Sequence, residues 1–287
     1  MVYRLPPCRL PNGCRERLEE GEVEYEAILY EVSDRVATIT LNRPERMNSF
    51  SAELLAEWEH ALRRSAEDEG VRAVIVTGAG RAFCAGADLQ ATGEQDRILM
   101  SGRSAADRRN SLRYTVYRIP LAVQQLDKPY IAAVNGAATG AGMDMASMTD
   151  VRIASDQARF AMSYVNVGLI PGDGGAWLLP RIIGLPKALE LIWSGELFNA
   201  DRALELGYVS KVVPHEQLME EARAYALQLA AGPPVAIQLA KRLVYRAVDQ
   251  TFTEALDAAQ AAMTIVQSTD DAAEGLRAFH EKRKPSY

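Results

Sequence analysis

The chain has 287 residues, 48% of them apolar, and a formal net charge of −6. That length holds one large domain or two small ones, and the acidic balance argues against a nucleic-acid partner. Three cysteines form no disulfide framework, no histidine stands at metal-ligand spacing from another or from a cysteine, and no run nears the ~20 apolar residues that cross a bilayer, so the expectation is a reduced, cytoplasmic chain with no metal site and no membrane partner.

Taken in order, residues 1–24 carry Arg4, Arg9, Arg15 and Arg17 among Pro6, Pro7, Pro11 and Gly13. They lack an apolar stretch and read as a disordered extension rather than a signal. Residues 25–32 and 36–41 are β-rich and separated by Ser33-Asp34-Arg35, a hairpin pattern that Asn42-Arg43-Pro44 closes. Ser51 is placed to cap a helix whose apolar period runs through Leu54, Leu55, Trp58 and Leu62. Residues 71–77 and 129–134 are continuous apolar runs, the pattern of buried strands. Between them, residues 91–126 are polar and arginine-rich and read as a helical or mobile cover. A helix of small and sulfur-containing residues follows at 142–148, then short strands at 151–154 and 159–162. Pro171-Gly172-Asp173-Gly174-Gly175 is a sharp turn, and residues 176–183 form a helix that Pro180 is expected to break. Helix patterns fill 186–193, 199–207, 215–231 and 234–246, and a single amphipathic segment runs over 252–284. The predicted class is α/β, with a core over 25–198 and a helical region over 199–287.

Two glycine-rich stretches carry the chemistry. Arg81-Ala82-Phe83-Cys84-Ala85-Gly86-Ala87-Asp88-Leu89 and Asn135-Gly136-Ala137-Ala138-Thr139-Gly140-Ala141-Gly142-Met143-Asp144 each lie close behind a β-branched apolar run and read as loops. Small residues let a ligand approach the main chain, and two such loops can aim two N–H donors at one oxygen. Ala87 and Ala141 are the expected donors, polarising a carbonyl and stabilising an enolate, with the start of a helix near Ala141 adding its positive end. Asp144, three residues past the second donor, is placed to act on the carbon beside that carbonyl, although an acidic first-turn residue also stabilises a helix by itself. Asp173 is the other carboxylate candidate, or a turn former. Tyr164 follows Phe160 and Met162 at strand spacing, so it belongs either to the core or to the pocket, where it would donate a hydrogen bond. Arg43, Arg46, Arg81 and the run Lys282-Arg283-Lys284 fit a ligand carrying several phosphates, or a solvated surface. Arg97, Arg103, Arg108, Arg109 and Arg113 meet either a second substrate carboxylate or solvent.

Asn42-Arg43-Pro44, Asn48, the run from Ala82 to Leu89, Ala133-Val134-Asn135-Gly136, Gly140-Ala141-Gly142, Asp150, Gly168, Pro171-Gly172, Gly174-Gly175, Arg181 and Gly184 together resemble the crotonase, or enoyl-CoA hydratase/isomerase, family. The resemblance implies a spiral of ββα units, a helical C-terminal region for trimerisation and CoA covering, and a homotrimer or dimer of trimers. It implies an acyl-CoA thioester as substrate, with no separate cofactor, its oxygen held by the Ala87 and Ala141 amides. It places Arg43, Arg46, Arg81, Ala85, Asp88 and Leu89 against CoA, and Phe279 and Lys282 against the CoA of a neighbouring copy. Hydratases of the family use two glutamates to hold water. Here Asp144 stands at the first position and Tyr164 at the second, while some isomerases use an Asp one place from Asp173. The preferred expectation is an enoyl-CoA hydratase-like enzyme with Asp144 as acid/base and Tyr164 positioning water or substrate. The alternatives are an enoyl-CoA or ring-epoxide isomerase or a hydrolase using Asp173, or a CoA-binding protein without catalysis.

Overall fold

The computed structural model describes residues 24–89 and 104–287. The expected extension before residue 24, with Cys8 and Cys14, lies outside the described residues, as do Arg97, Arg103 and the side chains of Arg108 and Arg109.

Strand β1 (Ile28–Ser33) turns into β2 (Val36–Leu41) through Asp34 and Arg35, both at positive φ. A two-residue turn with both central residues left-handed matches the twist of an antiparallel pair, and Ser33 faces Val36 across it. Helix α1 (Ala52–Glu67) starts where expected, with Ser51 Oγ accepting from the Leu54 N–H at 3.1 Å.

The chain then repeats one pair of steps three times: β3 (Ala73–Gly78) with β4 (Ala82–Cys84), β5 (Tyr130–Val134) with β6 (Ala137–Thr139), and β7 (Val151–Ser155) with β8 (Arg159–Ala161). Helices α2 (Ala105–Tyr114) and α3 (Arg118–Gln125) precede β5, and α4 (Ala141–Ser147) precedes β7. After β8 come α5 (Gly175–Ile183), α6 (Leu185–Ser194), β9 (Phe198–Asn199), α7 (Ala200–Glu205), β10 (Lys211–Val213) and α8 (Leu218–Ala230). One sheet runs β1-β2-β3-β5-β7-β10 and the other β4-β6-β8-β9, so each repeat gives one strand to each sheet. The chain is an α/β spiral of ββα-type units followed by helices α9 (Pro234–Ala247), α10 (Phe252–Gln267) and α11 (Asp270–Glu281).

Both faces of the larger sheet are covered, which is why its parallel strands read as unbroken apolar runs. Val74 and Val76 face the main core with Leu54, Trp58 and Leu62 of α1, whereas Ala73 and Ile75 face a second cluster with Ala222 and Ala226 of α8. The Trp58 indole N–H is satisfied inside that core by the Tyr130 hydroxyl at 3.1 Å.

Four sequence expectations need correction. The two glycine stretches are not wholly loops, because they contain β4 and β6; strands of three small residues leave no periodic signal. Residues 198–199 and 211–213 are likewise short strands within helix-rich sequence. Pro180 does not break α5: it costs only the bond to Ala176, and Gly184 N still donates to the Pro180 carbonyl at 3.0 Å. Residues 252–284 form two helices rather than one, because the Thr269 hydroxyl oxygen takes the Ala272 N–H and starts a new helix.

Helix α9 is tied to the core through Asp150. Its Oδ2 accepts from the Tyr130 N–H and from Lys241 Nζ, both at 2.7 Å, and its Oδ1 accepts from the Tyr245 hydroxyl at 2.8 Å. Asp150→Ala leaves these donors unpaired in a half-buried setting, so urea unfolding should show a loss of about 2–3 kcal/mol. A midpoint equal to that of the parent would mean that α9 is held by packing alone.

Candidate active site

Residues of the two glycine stretches touch through their main chains. A Cβ on Gly86 (φ 81°) would stand 2.8 Å from the Thr139 carbonyl oxygen and 2.9 Å from the Ala141 nitrogen, and one on Gly142 would stand 1.9 Å from the Cys84 carbonyl oxygen. Any side chain there would push the loops apart. Phe50 N donates to the Gly86 carbonyl at 2.7 Å and Ala85 N to the Met47 carbonyl at 3.0 Å, which fixes the first loop. Thr139 Oγ1 donates to the Ala85 carbonyl at 3.3 Å and links it to the second. Ala141 is the first residue of α4, so its N–H has no acceptor within the helix. Ala87 lies next to Gly86 in a single parallel bridge with Phe50. The two expected donor positions therefore sit on adjoining bends. Cys84 between them is buried, its thiol pushed up to about 12 by desolvation, and so is chemically quiet.

Asp144 lies in the first turn of α4 and is 0% exposed; Asp173, from the turn before α5, is 2% exposed. The structure brings them together through Tyr164. Its hydroxyl stands 2.7 Å from Asp144 Oδ2 and 3.0 Å from Asp173 Oδ2. Tyr164 does not continue the strand period of Phe160 and Met162, because β8 ends at Ala161. It sits on a short 3-10 turn, Ser163–Val167, that Gly168 closes at φ 73°. A Cβ on Gly175 would fall 1.9 Å from Asp144 Oδ1, so only glycine there lets the carboxylate in. The sequence reading missed that role, although the Gly174-Gly175 pair was its visible signal. It also missed Tyr208, which donates to the Met143 carbonyl and contacts Ser147 Oγ behind Asp144.

Electrostatics make this a high-energy arrangement. Burial is the main cause that pushes Asp144 up to about 7, with Tyr164 donation lowering it, the neighbouring Asp173 raising it, and the Gly175 and Asp173 amides lowering it. Burial likewise pushes Asp173 up to about 6 against the pull of Tyr164. Burial and both carboxylates drive the Tyr164 phenol far above its ordinary range, so it keeps its proton. Asp144 Oδ1 and Asp173 Oδ1 have no hydrogen-bond partner among the described residues. Burial thus raises both acids above the ordinary carboxylate range.

The basic groups sit nearer the surface. Arg46 pairs with Asp88, its Nη2 2.7 Å from Oδ2, and Arg43 Nη1 donates to the Ser49 carbonyl at 2.7 Å. Ala85 is half-buried, and Arg81 and Leu89 are exposed beside the first bend. Phe279 and Lys282 are exposed at the end of α11, Phe279 at 79%.

A buried acid whose proton is held more tightly in the folded chain makes stability fall as pH rises. For Asp144 the fall spans its ordinary value of 3.8 up to about 7 and levels off above that. Asp144→Asn removes the buried charge and keeps the size. Calorimetry should find it a few degrees more stable than the parent at pH ~8, with the gap shrinking by pH ~5; a gap that does not change with pH would show that Asp144 carries no buried charge.

Comparison with known proteins agrees with this geometry. The family model for enoyl-CoA hydratase/isomerase matches residues 31–287. A 1,2-epoxyphenylacetyl-CoA isomerase of Escherichia coli is 37% identical over 262 residues, covering 91% of this chain and 98% of its own. A short-chain-enoyl-CoA hydratase of Clostridium acetobutylicum is 36% identical over 263 residues, covering 91% and 97%. The crystal structure of an enoyl-CoA hydratase from Bacillus anthracis superposes with a TM-score of 0.83 at 36% identity, covering 91% of this chain and 99% of that one. One from Mycobacterium smegmatis gives 0.84 at 35% identity, with the same coverage. Spiral fold, adjoining glycine bends and near full-length similarity lead to one conclusion: the chain belongs to the crotonase, or enoyl-CoA hydratase/isomerase, family and shares its CoA-thioester chemistry.

Proposed function

We propose that the protein acts on an enoyl-CoA thioester, holds the thioester oxygen between the Ala87 and Ala141 amides, and moves a proton at the neighbouring carbons with Asp144. The observation that carries this is the position of Asp144, one helical turn past an amide that has no helical acceptor and beside a second carboxyl. Negative charge forming on the thioester oxygen is stabilised by the paired N–H groups, which makes the carbon next to it acidic enough for a carboxylate to deprotonate. Arg43, Arg46 and Arg81, with Ala85, Asp88 and Leu89 of the first bend, form the CoA-binding side. Asp88 holds Arg46 in place by an ion pair. Exposed Val244 on α9, Val248 just after it, and Phe252 and Leu256 on α10 favour burial against further copies of the chain, in a trimer or dimer of trimers that would carry Phe279 and Lys282 to a neighbour's CoA.

Proton transfer between carbons, an isomerisation, is the reaction best supported. A phenol stands at the position of a hydratase's second glutamate, and Tyr164, held in its neutral form beside two carboxyls, cannot act as a second carboxylate on water. Hydration of a 2-enoyl-CoA is the second reading. It is favoured by the raised pKa values of both acids, which leave one carboxyl protonated and one ionised near neutrality, the acid and base that reversible water addition needs.

Mass spectrometry separates the two, since hydration adds a water to crotonyl-CoA whereas conversion of a 3-enoyl-CoA to a 2-enoyl-CoA leaves the mass unchanged. Asp144→Asn should lower kcat/KM on the order of 10²–10⁴-fold, with titration calorimetry showing unaltered CoA binding. Full activity in that variant would remove Asp144 from the chemistry. Tight CoA binding by a parent protein that turns over no enoyl-CoA would leave a binding protein instead.

A further inference from the structure

A phenol has one proton, yet Tyr164 lies within hydrogen-bond distance of two carboxylate oxygens, at 2.7 and 3.0 Å. It can donate to only one of them. The other contact is attractive only when that second carboxyl carries a proton and donates it to the phenol oxygen. The group of three is therefore held together by two protons, one belonging to the phenol and one shared by the acids.

Asp144 and Asp173 are almost wholly buried, and their remaining oxygens have no partner among the described residues. From the segment before α3, Tyr117 faces Asp173, and from beyond α7, Tyr208 faces Asp144; both are neutral phenols. The Gly175 and Asp173 backbone N–H groups also face Asp144, and the Met162 methyl, 2.9 Å from a Cβ built on Gly175, packs nearby. No lysine or arginine forms an ion pair with either acid among the described side chains.

We propose that Tyr164 relays a proton between Asp144 and Asp173, so that the two carboxyls exchange acid and base roles within a turnover. The proposal rests on the reading of Asp144 as the acid/base. The step is balanced: the O–H bond at Asp144 Oδ2 breaks as one forms at the phenol oxygen, while the original phenol O–H breaks as one forms at Asp173 Oδ2. No net charge builds on the phenol, which suits a group that does not ionise. With the shared proton on Asp173, Asp144 is ionised and can take a proton from a substrate carbon; with the shared proton relayed to Asp144, Asp144 is an acid that can give it to a substrate carbon and Asp173 is the ionised one. Tyr164 is thus a positioning residue that acts through the carboxyls.

The test is a pH titration of the full-length protein labelled with 13C at the aspartate carboxyl carbons, with the two signals assigned by their loss in Asp144→Asn and Asp173→Asn. In the parent protein both signals should shift through both steps of the titration. In Tyr164→Phe each should follow one step of its own. Parent signals that already titrate separately would overturn the relay. A kinetic arm completes the test: Tyr164→Phe should lose kcat on the order of 10²-fold at unchanged KM, with an altered pH profile, whereas unchanged kcat would also overturn it. The titration needs no substrate. A shared titration therefore upholds the relay even if no CoA thioester is turned over, and separate titrations overturn it even if one is.

Discussion

Main-chain contact between two bends governs this molecule. Where Gly142 meets the Cys84 carbonyl and Gly86 meets the start of α4, the chain has no room for a side chain on either residue. Close contact of this kind is costly to organise, because glycine loses more freedom on folding than any other residue. The spiral makes it affordable. Each bend directly follows a strand of the smaller sheet, and those strands, β4 and β6, pair in parallel side by side. The bends are aligned because the strands that carry them are.

The same geometry sets the electrostatics. Helix α4 begins at the second bend, so its first turn points Asp144 inward toward the turn that carries Asp173. Glycine at position 175 admits the carboxylate, and Tyr164 supplies a donor between the two acids. Two buried carboxyls with no ion pair among the described side chains are unfavourable, and the fold tolerates them because its cores on both faces of the larger sheet are extensive. Strongly raised acids in a buried cluster are the kind of perturbation that gathers at functional sites.

The helices after α8 contribute differently. Asp150 anchors α9 to the start of β5, but apolar side chains such as Val244, Phe252 and Leu256 still face outward. That surface is open to solvent in this chain, in contrast to the closed core of the spiral.

Much of the fold was legible in the residues. The hairpin, the Ser51 cap and the two buried strands follow from local rules: turn chemistry, capping and unbroken apolar runs act over a few neighbours and leave a mark in order and spacing. The adjoining glycine bends were legible as a motif, and the carboxylates as candidates. The strands β4, β6, β9 and β10 were not, because two or three small or mixed residues have no period; they become strands only when a neighbouring turn of the spiral offers them partners. Nor could spacing decide whether Tyr164 belonged to core or pocket. Its side chain is aimed by the end of β8 and the Gly168 turn, and its partners lie 20 residues before it and 9 after it in the chain. The sequence by itself determined the family and the residue types at the bends. Only the tertiary structure decided that Asp144, Tyr164 and Asp173 form one hydrogen-bonded group, because their distances depend on how separate turns of the spiral stack rather than on any property of the segments alone.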